Sequence, residues 1–422
     1  LFEKALPMSD DGVAGDDSYT ETEQAGWFSR ASGAIGGAIS GLALIALCAW
    51  GLFWNEGRAV TTTRSLAEAS ALTLEANAQQ IDPANAGKLI HVTGDLRAKA
   101  PVFDKEFGVG AQAIRLDRVV EMFQWKQSVS SRSQSNLGGS QTNTTTYSYK
   151  LAWEPGRINS EQFKQPAGHV NPQPRFQQVN FFAKEPELGA FRPTARALHL
   201  LPTEALPVSA EAIEQLKSRY GDATRAEDGK IFFGADPAAP KLGDMRVSYK
   251  ILPPGPVSII GAQSGKDFAL FKTQAGASLL LASRGAVSAE QMFRAAEKQN
   301  VLTTWLLRAL GAFVMWLGFY ALLRPFVVFA DIIPLFGDVA AAGAALFAGV
   351  ATLVAAPAAI AVAWFYYQPA ASALIVIAGL AMAYVVRAGA GKAGQTPSLP
   401  PPRPLQGGAP LRVDAARGSG GR

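Results

Sequence analysis

The sequence predicts a multi-pass α-helical membrane protein with a large inserted α+β, mainly antiparallel β, extracytoplasmic domain. Two observations lead there. One apolar run covers residues 33–54, and three more cover 303–323, 339–363 and 369–386. Between the first and second runs, residues 55–300 have ordinary globular composition. A helix needs about 20 consecutive apolar residues to cross roughly 30 Å of hydrocarbon. The layout is therefore one span, one soluble domain and three further spans. Residues 1–32 read as an acidic disordered cytoplasmic N-terminus, and 387–422 as a basic Pro/Gly-rich cytoplasmic tail.

Asp10, Asp11, Asp16, Asp17, Glu21 and Glu23 make the N-terminus acidic. A cleavable signal peptide has a basic n-region instead, so the first span reads as an uncleaved signal anchor. Position 1 is Leu, and Met8 offers an alternative start. Within the first span, Gly33, Gly37 and Gly41 recur every four residues, with Gly36 and Ser40 beside them. On a helix they form a stripe that admits another helix at close range. The occupant is either a partner helix, including a second copy, or one of this chain's own spans. The small-residue-rich third span (Ala341, Gly343, Ala345, Gly349) is the natural internal choice.

Asn55-Glu56-Gly57-Arg58 follows as a membrane-exit motif. Glu56 and Arg58 are expected to snorkel and pair with each other. Gly57 either ends the helix or fixes an exit geometry that docks the domain on the bilayer or on neighbouring subunits.

In the domain, 61–77 has helical spacing, with Leu66, Ala69 and Leu72 on one side. Strands are predicted at 89–94, 119–129, 144–153, 178–182, 230–233, 245–251, 256–262, 268–273 and 278–282, from period-2 alternation and β-branched or aromatic content. The Ser/Asn/Gln/Gly-rich stretch 130–143 reads as a long polar hairpin tip. Ser209 and Ser288 are predicted N-caps of two helices. Pro202 to Pro207 offers a boundary that would split the domain in two.

The second span is expected to end or kink at Arg324-Pro325. The uncharged cluster Trp364 to Pro369 reads as a tight aromatic turn at the interface. The basic tail and the Arg324 loop belong inside by charge, which places the large domain outside. No buried charge is expected within the spans, and Asp331 and Asp338 flank the inner loop.

Several strings in order carry a resemblance. They include Trp54-Asn55-Glu56-Gly57-Arg58, Ser65-Leu66-Ala67-Glu68, Gly87-Lys88-Leu89-Ile90-His91-Val92 and Val120-Glu121-Met122-Phe123-Gln124-Trp125. Others are Tyr147-Ser148-Tyr149, Gly168-His169-Val170-Asn171-Pro172, Gly243-Asp244-Met245-Arg246-Val247-Ser248 and Ser288-Ala289-Glu290-Gln291-Met292-Phe293. Together they resemble the transmembrane protein 43 (LUMA) family over about residues 33–387. The resemblance implies four spans and a luminal domain. For animal members it implies the endoplasmic reticulum and inner nuclear membrane, self-association, and organisation of lamin- and emerin-containing complexes. It implies no catalytic residues. The Ala/Gly/Arg-rich style suggests a bacterial member, whose domain would be periplasmic.

The formal charge is +5, without a basic patch interleaved with aromatics, so nucleic acid is not an expected partner. Cys48 is the only cysteine, which rules out an internal disulfide. The histidines are His91, His169 and His199, and none has a metal-ligand neighbour at the usual spacing. His91 lies in a strand and reads as a packed core residue; His169 lies in a turn that is either structural or a binding loop. Ser264-Gly265-Lys266 lacks the upstream glycine of a phosphate loop. Pro400-Pro401-Pro402-Arg403-Pro404 reads as a disordered tail or a polyproline II ligand.

No cofactor, metal or catalytic residue is expected. The expected function is a non-enzymatic scaffold that self-associates and organises other membrane proteins in a lipid bilayer. The alternative is a transporter or channel subunit, or a ligand-sensing or enzymatic domain.

Overall fold

The computed structural model describes residues 17–221, 224–374, 376–378, 380 and 381. The tail at 387–422, residues 1–16 and the end of the expected fourth span (382–386) lie outside the described residues.

The chain opens with β1 (Asp17–Ala25), α1 (Trp27–Leu72), β2 (Leu74–Ala76) and β3 (Leu89–Ala98). A small hairpin, β4 (Val102–Asp104) and β5 (Val109–Ala111), precedes two long strands, β6 (Arg115–Ser135) and β7 (Gln141–Pro155). Then come β8 (Val179–Phe182), β9 (Pro186–Leu188), α2 (Ala195–His199), β10 (Glu204–Leu206), α3 (Ala210–Tyr220), β11 (Thr224–Glu227), β12 (Lys230–Phe233) and β13 (Met245–Leu252). The domain closes with β14 (Gly255–Ser264), β15 (Asp267–Ala269), β16 (Phe271–Lys272), β17 (Ser278–Leu279) and β18 (Leu281–Arg284). Two long helices follow, α4 (Ala289–Ala330) and α5 (Pro334–Tyr367).

The eight-stranded sheet has the order β1-β7-β6-β13-β12-β11, with β8 on β6 and β10 on β13. The six-stranded sheet has the order β15-β14-β3-β2, with β18 on β14 and β9 on β3. The strand pairs in these sheets are antiparallel except β2 with β3. The two sheets take strands alternately along the chain, so no division falls at Pro202–Pro207. The described residues up to Gln368 form one compact unit.

The six-stranded sheet is covered on one side by Ile114, Phe191, Leu198 and Leu252, packed on Ile90, Val92, Val257 and Ile259. On another side Leu89, Ile260 and Leu279 pack against Leu66 and Ala69 of α1 and Met292 and Phe293 of α4. Each fully buried Leu or Phe contributes about 1.5–3 kcal/mol. The domain is thereby fixed onto the ends of two helices rather than tethered by linkers. The eight-stranded sheet has its own core, Phe107, Val120, Met122, Val247 and Tyr249 under Ile213 and Leu216 of α3.

Among the described residues three helices are long and apolar enough to cross a membrane: 27–72, 289–330 and 335–367. They contain the expected spans 33–54, 303–323 and 339–363 and extend beyond each. Helix α1 does not end at Gly57 but continues to Leu72, where its last turns enter the domain core. Helix α4 starts at Ser288, whose side chain and that of Gln291 form a reciprocal capping box. It passes through Pro325 to Ala330, because losing one hydrogen bond costs less in an apolar setting than exposing several backbone groups. Residues Trp364 to Tyr367 are the last turn of α5 rather than a loop. The described residues from Pro369 on belong to a separate unit and include a short apolar helix, Pro369–Ala378. A fourth complete span is not established.

Residues 17–25, expected to be disordered, form a strand paired with β7 from Asp17↔Tyr149 to Ala25↔Gln141. The polar stretch 130–143 is also strand on both sides of a short turn, Asn136–Ser140. Hydroxyls tie the three strands together, Thr20 with Thr146 at 3.1 Å and Ser131 with Thr145 at 3.2 Å. The β-branched run Thr144-Thr145-Thr146 favours extended backbone despite its polarity.

Candidate functional site: an interhelical polar hub

Asn55, Glu56, Gly57 and Arg58 lie mid-helix in α1 and are brought onto the seam with α4 and α5. Glu56 is 2% exposed, and its two carboxylate oxygens accept from Nε and Nη2 of Arg308, each at 2.7 Å. Trp364 of α5 donates its indole N–H to the same carboxylate at 2.9 Å. This fork-to-fork geometry is the strongest arrangement open to an arginine–carboxylate pair. The Arg308 guanidinium also lies 4.7 Å over the Trp305 ring.

Arg58 does not pair with Glu56 as expected. It donates to Asn300 Oδ1 at 2.9 Å, to Thr304 Oγ1 at 2.8 Å and to Asn55 Oδ1 at 3.3 Å. Asn55 donates to the Thr304 carbonyl at 3.2 Å, and Asn300 returns donors to the Ala59 carbonyl and Thr63. Buried Asn55, Asn300 and Thr304 therefore have partners on the facing helix, as burial of polar groups requires.

Gly57 has a steric role. A Cβ built there would lie 2.4 Å from Cζ of Tyr367, so the Tyr367 ring occupies the place of a side chain. Arg64 donates to the Tyr367 carbonyl. The aromatic end of α5 is thus seated directly on the exit motif. A cleft of about 180 Å³ opens beside the hub, lined by Glu56, Val60, Asn300, Trp305, Arg308 and Trp364 among others.

The glycine stripe divides. A Cβ on Gly41 would lie 2.6 Å from the Gly318 carbonyl oxygen, and one on Gly318 would lie 3.0 Å from the Gly41 carbonyl oxygen. This is a close backbone crossing of α1 on α4, not on α5 as expected. Gly33 and Gly37 face open space.

A second polar cluster lies at the opposite end of the helices. Arg30 pairs with Asp331 at 2.5 Å and also donates to the Gly139 carbonyl. Ser135 Oγ donates to the same Asp331 oxygen at 2.6 Å, and Gly138 N–H donates to the Ile332 carbonyl. Trp27 lies against Gly139 and donates its N–H to the Val328 carbonyl. The β6–β7 tip, the start of α1 and the α4–α5 turn meet here in one clasp. Arg30 and Glu56 are about 40 Å apart along α1 at the usual 1.5 Å per residue. The two ion pairs bracket an apolar section of membrane thickness, packed around Cys48, Leu52 and Met315.

The histidines lie elsewhere. His91 Nδ1 is 2.7 Å from Glu75 and its Nε2 is 3.0 Å from the Val287 carbonyl. His169 stacks on Tyr149, with ring centroids 3.8 Å apart, and reaches Asp17 Oδ2 at 3.1 Å. It thereby anchors the start of β1. Among the described residues no group of three His, Cys, Asp or Glu side chains could hold a metal ion.

Sequence reasoning singled out Asn55 to Arg58 but not their partners. Arg308 lies inside the apolar run 303–323, where no buried charge was expected. The available signal was the cost of a lone arginine at that depth, which calls for a carboxylate on a neighbouring helix.

Long apolar helices joined by buried polar contacts, with a two-sheet domain fixed to their ends, define a multi-pass integral membrane protein. The family profile described as transmembrane protein 43 matches residues 122–369. Transmembrane protein 43 of Mus musculus is 31% identical over 369 residues, covering 84% of this chain and 90% of that protein. The Homo sapiens protein is 31% identical over 374 residues, covering 86% and 91%. The Drosophila melanogaster homolog is 26% identical over 296 residues, covering 67% and 75%. No solved structure matches. The chain belongs to the transmembrane protein 43 family.

Proposed function

We propose that this protein is a non-enzymatic membrane platform that self-associates and organises other membrane proteins through its large domain. The observation that carries the reading is the hub. Glu56, Arg308, Arg58 and Asn300 spend their hydrogen-bonding capacity on one another and on helix backbone. They lock α1, α4 and α5 to one another just before α1 and α4 enter the domain core, which suits a platform better than a site that must bind and release a substrate. In this reading the domain is extracytoplasmic, periplasmic in a bacterium or luminal in the endoplasmic reticulum or inner nuclear membrane of a eukaryote. Gly33 and Gly37, open on the surface of α1, are available to a neighbouring helix.

The test is purification in mild detergent with mass measurement and identification of co-purifying proteins. Oligomers with reproducible partners are expected. A monomer without partners would overturn the proposal.

A further inference from the structure

The three-stranded ribbon β1-β7-β6 stands beside the apolar helices at the same depth. Its tip is pinned to Arg30 and Asp331. Its base is continuous with β13 through Arg115–Met122 in the domain. The domain in turn is packed on Leu66 and Ala69 of α1. With both ends fixed to the same helix, ribbon and helix run as two legs of one frame. β1 has nine residues, about 30 Å of strand, which is the length that crosses a bilayer.

The ribbon is nevertheless polar on both faces. Ser18, Thr20, Thr22, Ser128, Ser130 and Arg132 share one face, and Glu21, Glu23, Ser131 and Ser133 the other, by their register through β7. Ser128 to Gln134 are exposed. Among the described residues no strand lies beside the outer edge of β1, and β6 beyond Trp125, whose backbone is held by the Asn171 side chain, meets no strand but β7. Hydrocarbon accepts neither open strand edges nor polar faces; such backbone persists at membrane depth only when covered by protein or lining water.

We propose that second copies of this chain close the ribbon, the outer edge of β1 in one copy pairing in parallel with the free edge of β6 in the next. The ribbons then form a continuous polar wall around a water-filled interior, inside a ring of helices. Three points on the ribbon select this occupant. Through β7, Asp17–Ala25 of β1 lies level with Gln127–Ser135 of β6, so the two edges match in length and height. Copies sharing a membrane share one direction, so β1 and β6, parallel within a chain, are parallel between chains. The strands also carry opposite charge, Glu23 on β1 and Arg132 on the open part of β6, whereas Asp17, Glu21 and Lys126 already pair with His169, Lys164 and Glu154 within the chain. The contact joins two different surfaces, so repeating it builds a ring rather than a dimer. The proposal rests on the self-association reading and names its surface.

The experiment is cysteine cross-linking of the full chain in native membranes, in a Cys48→Ala background. Thr22→Cys is combined in one chain with Ser130→Cys, Arg132→Cys or Gln134→Cys, which covers the possible stagger. Thr22 and Arg132 flank Thr144, two strand spacings or about 10 Å apart, beyond the ~7 Å reach of a disulfide within one chain. Oxidation is expected to give a reductant-sensitive ladder of dimers, trimers and larger species with at least one pair, and none with the single variants. Oligomers by mass without a ladder for any pair overturn the edge pairing and leave self-association standing. A ladder that stops at dimers also overturns it. Monomers by mass overturn both.

Discussion

Glu56 of α1 and Arg308 of α4 form a two-pronged ion pair, with both contacts at 2.7 Å, at the level where the helices leave the apolar section. Removing one member leaves the other buried without its countercharge, which costs about 3–5 kcal/mol. Arg308→Ala and Glu56→Ala are each expected to lower the thermal midpoint in detergent sharply. The double variant Glu56→Leu with Arg308→Leu should recover most of the loss, because apolar side chains satisfy this site without desolvating charge. Equal losses in the single and double variants would contradict the pairing.

Gly57 carries the Tyr367 ring where its Cβ would be. Gly57→Ala is expected to cost about 1–3 kcal/mol by overpacking. Combined with Tyr367→Ala it should cost less than the sum of the two. By contrast Gly37→Ala, which meets open space, should leave the stability of the single chain unchanged. Chemical or thermal unfolding of the four variants is the measurement.

The clasp at the far end predicts a local effect. Asp331→Asn weakens the bonds to Arg30 and Ser135, so the turn Asn136–Ser140 should open more often. Hydrogen exchange at these residues should rise severalfold while exchange in β13 stays as it was. Unchanged protection at the tip would mean the clasp does not hold it.

Glu121 and Arg246 face each other across β6 and β13, joined at 2.6 Å and 3.2 Å, with Arg246 over Trp153. The hydrogen bond from Arg246 holds the Glu121 carboxyl below the usual carboxylate range. A carboxyl lowered on folding adds stability that is fully present above its unfolded value, near 4.3, and is lost as the pH falls through the folded value. Between pH 7 and pH 3 the parent protein should therefore lose more thermal stability than Glu121→Gln. A larger acid loss in the variant would reverse the assigned sign.

The parts legible in the sequence are those set by local chemistry. Ser288 with Gln291 and Ser209 cap helices where their spacing indicates. The alternating strands 230–233 and 245–252 need no distant information. Three spans follow from hydropathy alone. What stayed hidden depends on partners far along the chain. Ser130 to Ser135 and Gln141 to Asn143 read as part of a hairpin tip because their polarity outweighs β-propensity until the strands pair and β1 flanks β7. Glu56 and Arg58, two residues apart, look like a pair. On a helix they point to different neighbours, and only tertiary packing supplies Arg308 and Asn300. Gly41, Gly37 and Gly33 are indistinguishable in sequence, yet only Gly41 crosses another backbone.

The clasp also dictates an order of biogenesis. It joins Arg30, Gly139 and Asp331, so a ribosome must deliver the end of α4 before the tip of the hairpin has its acceptor. β1, made before β7, waits for its partner strand more than a hundred residues later. Contacts so distant along the chain form slowly. A nascent chain halted before Asp331 should therefore keep its β6–β7 tip open to protease, and become resistant only after release.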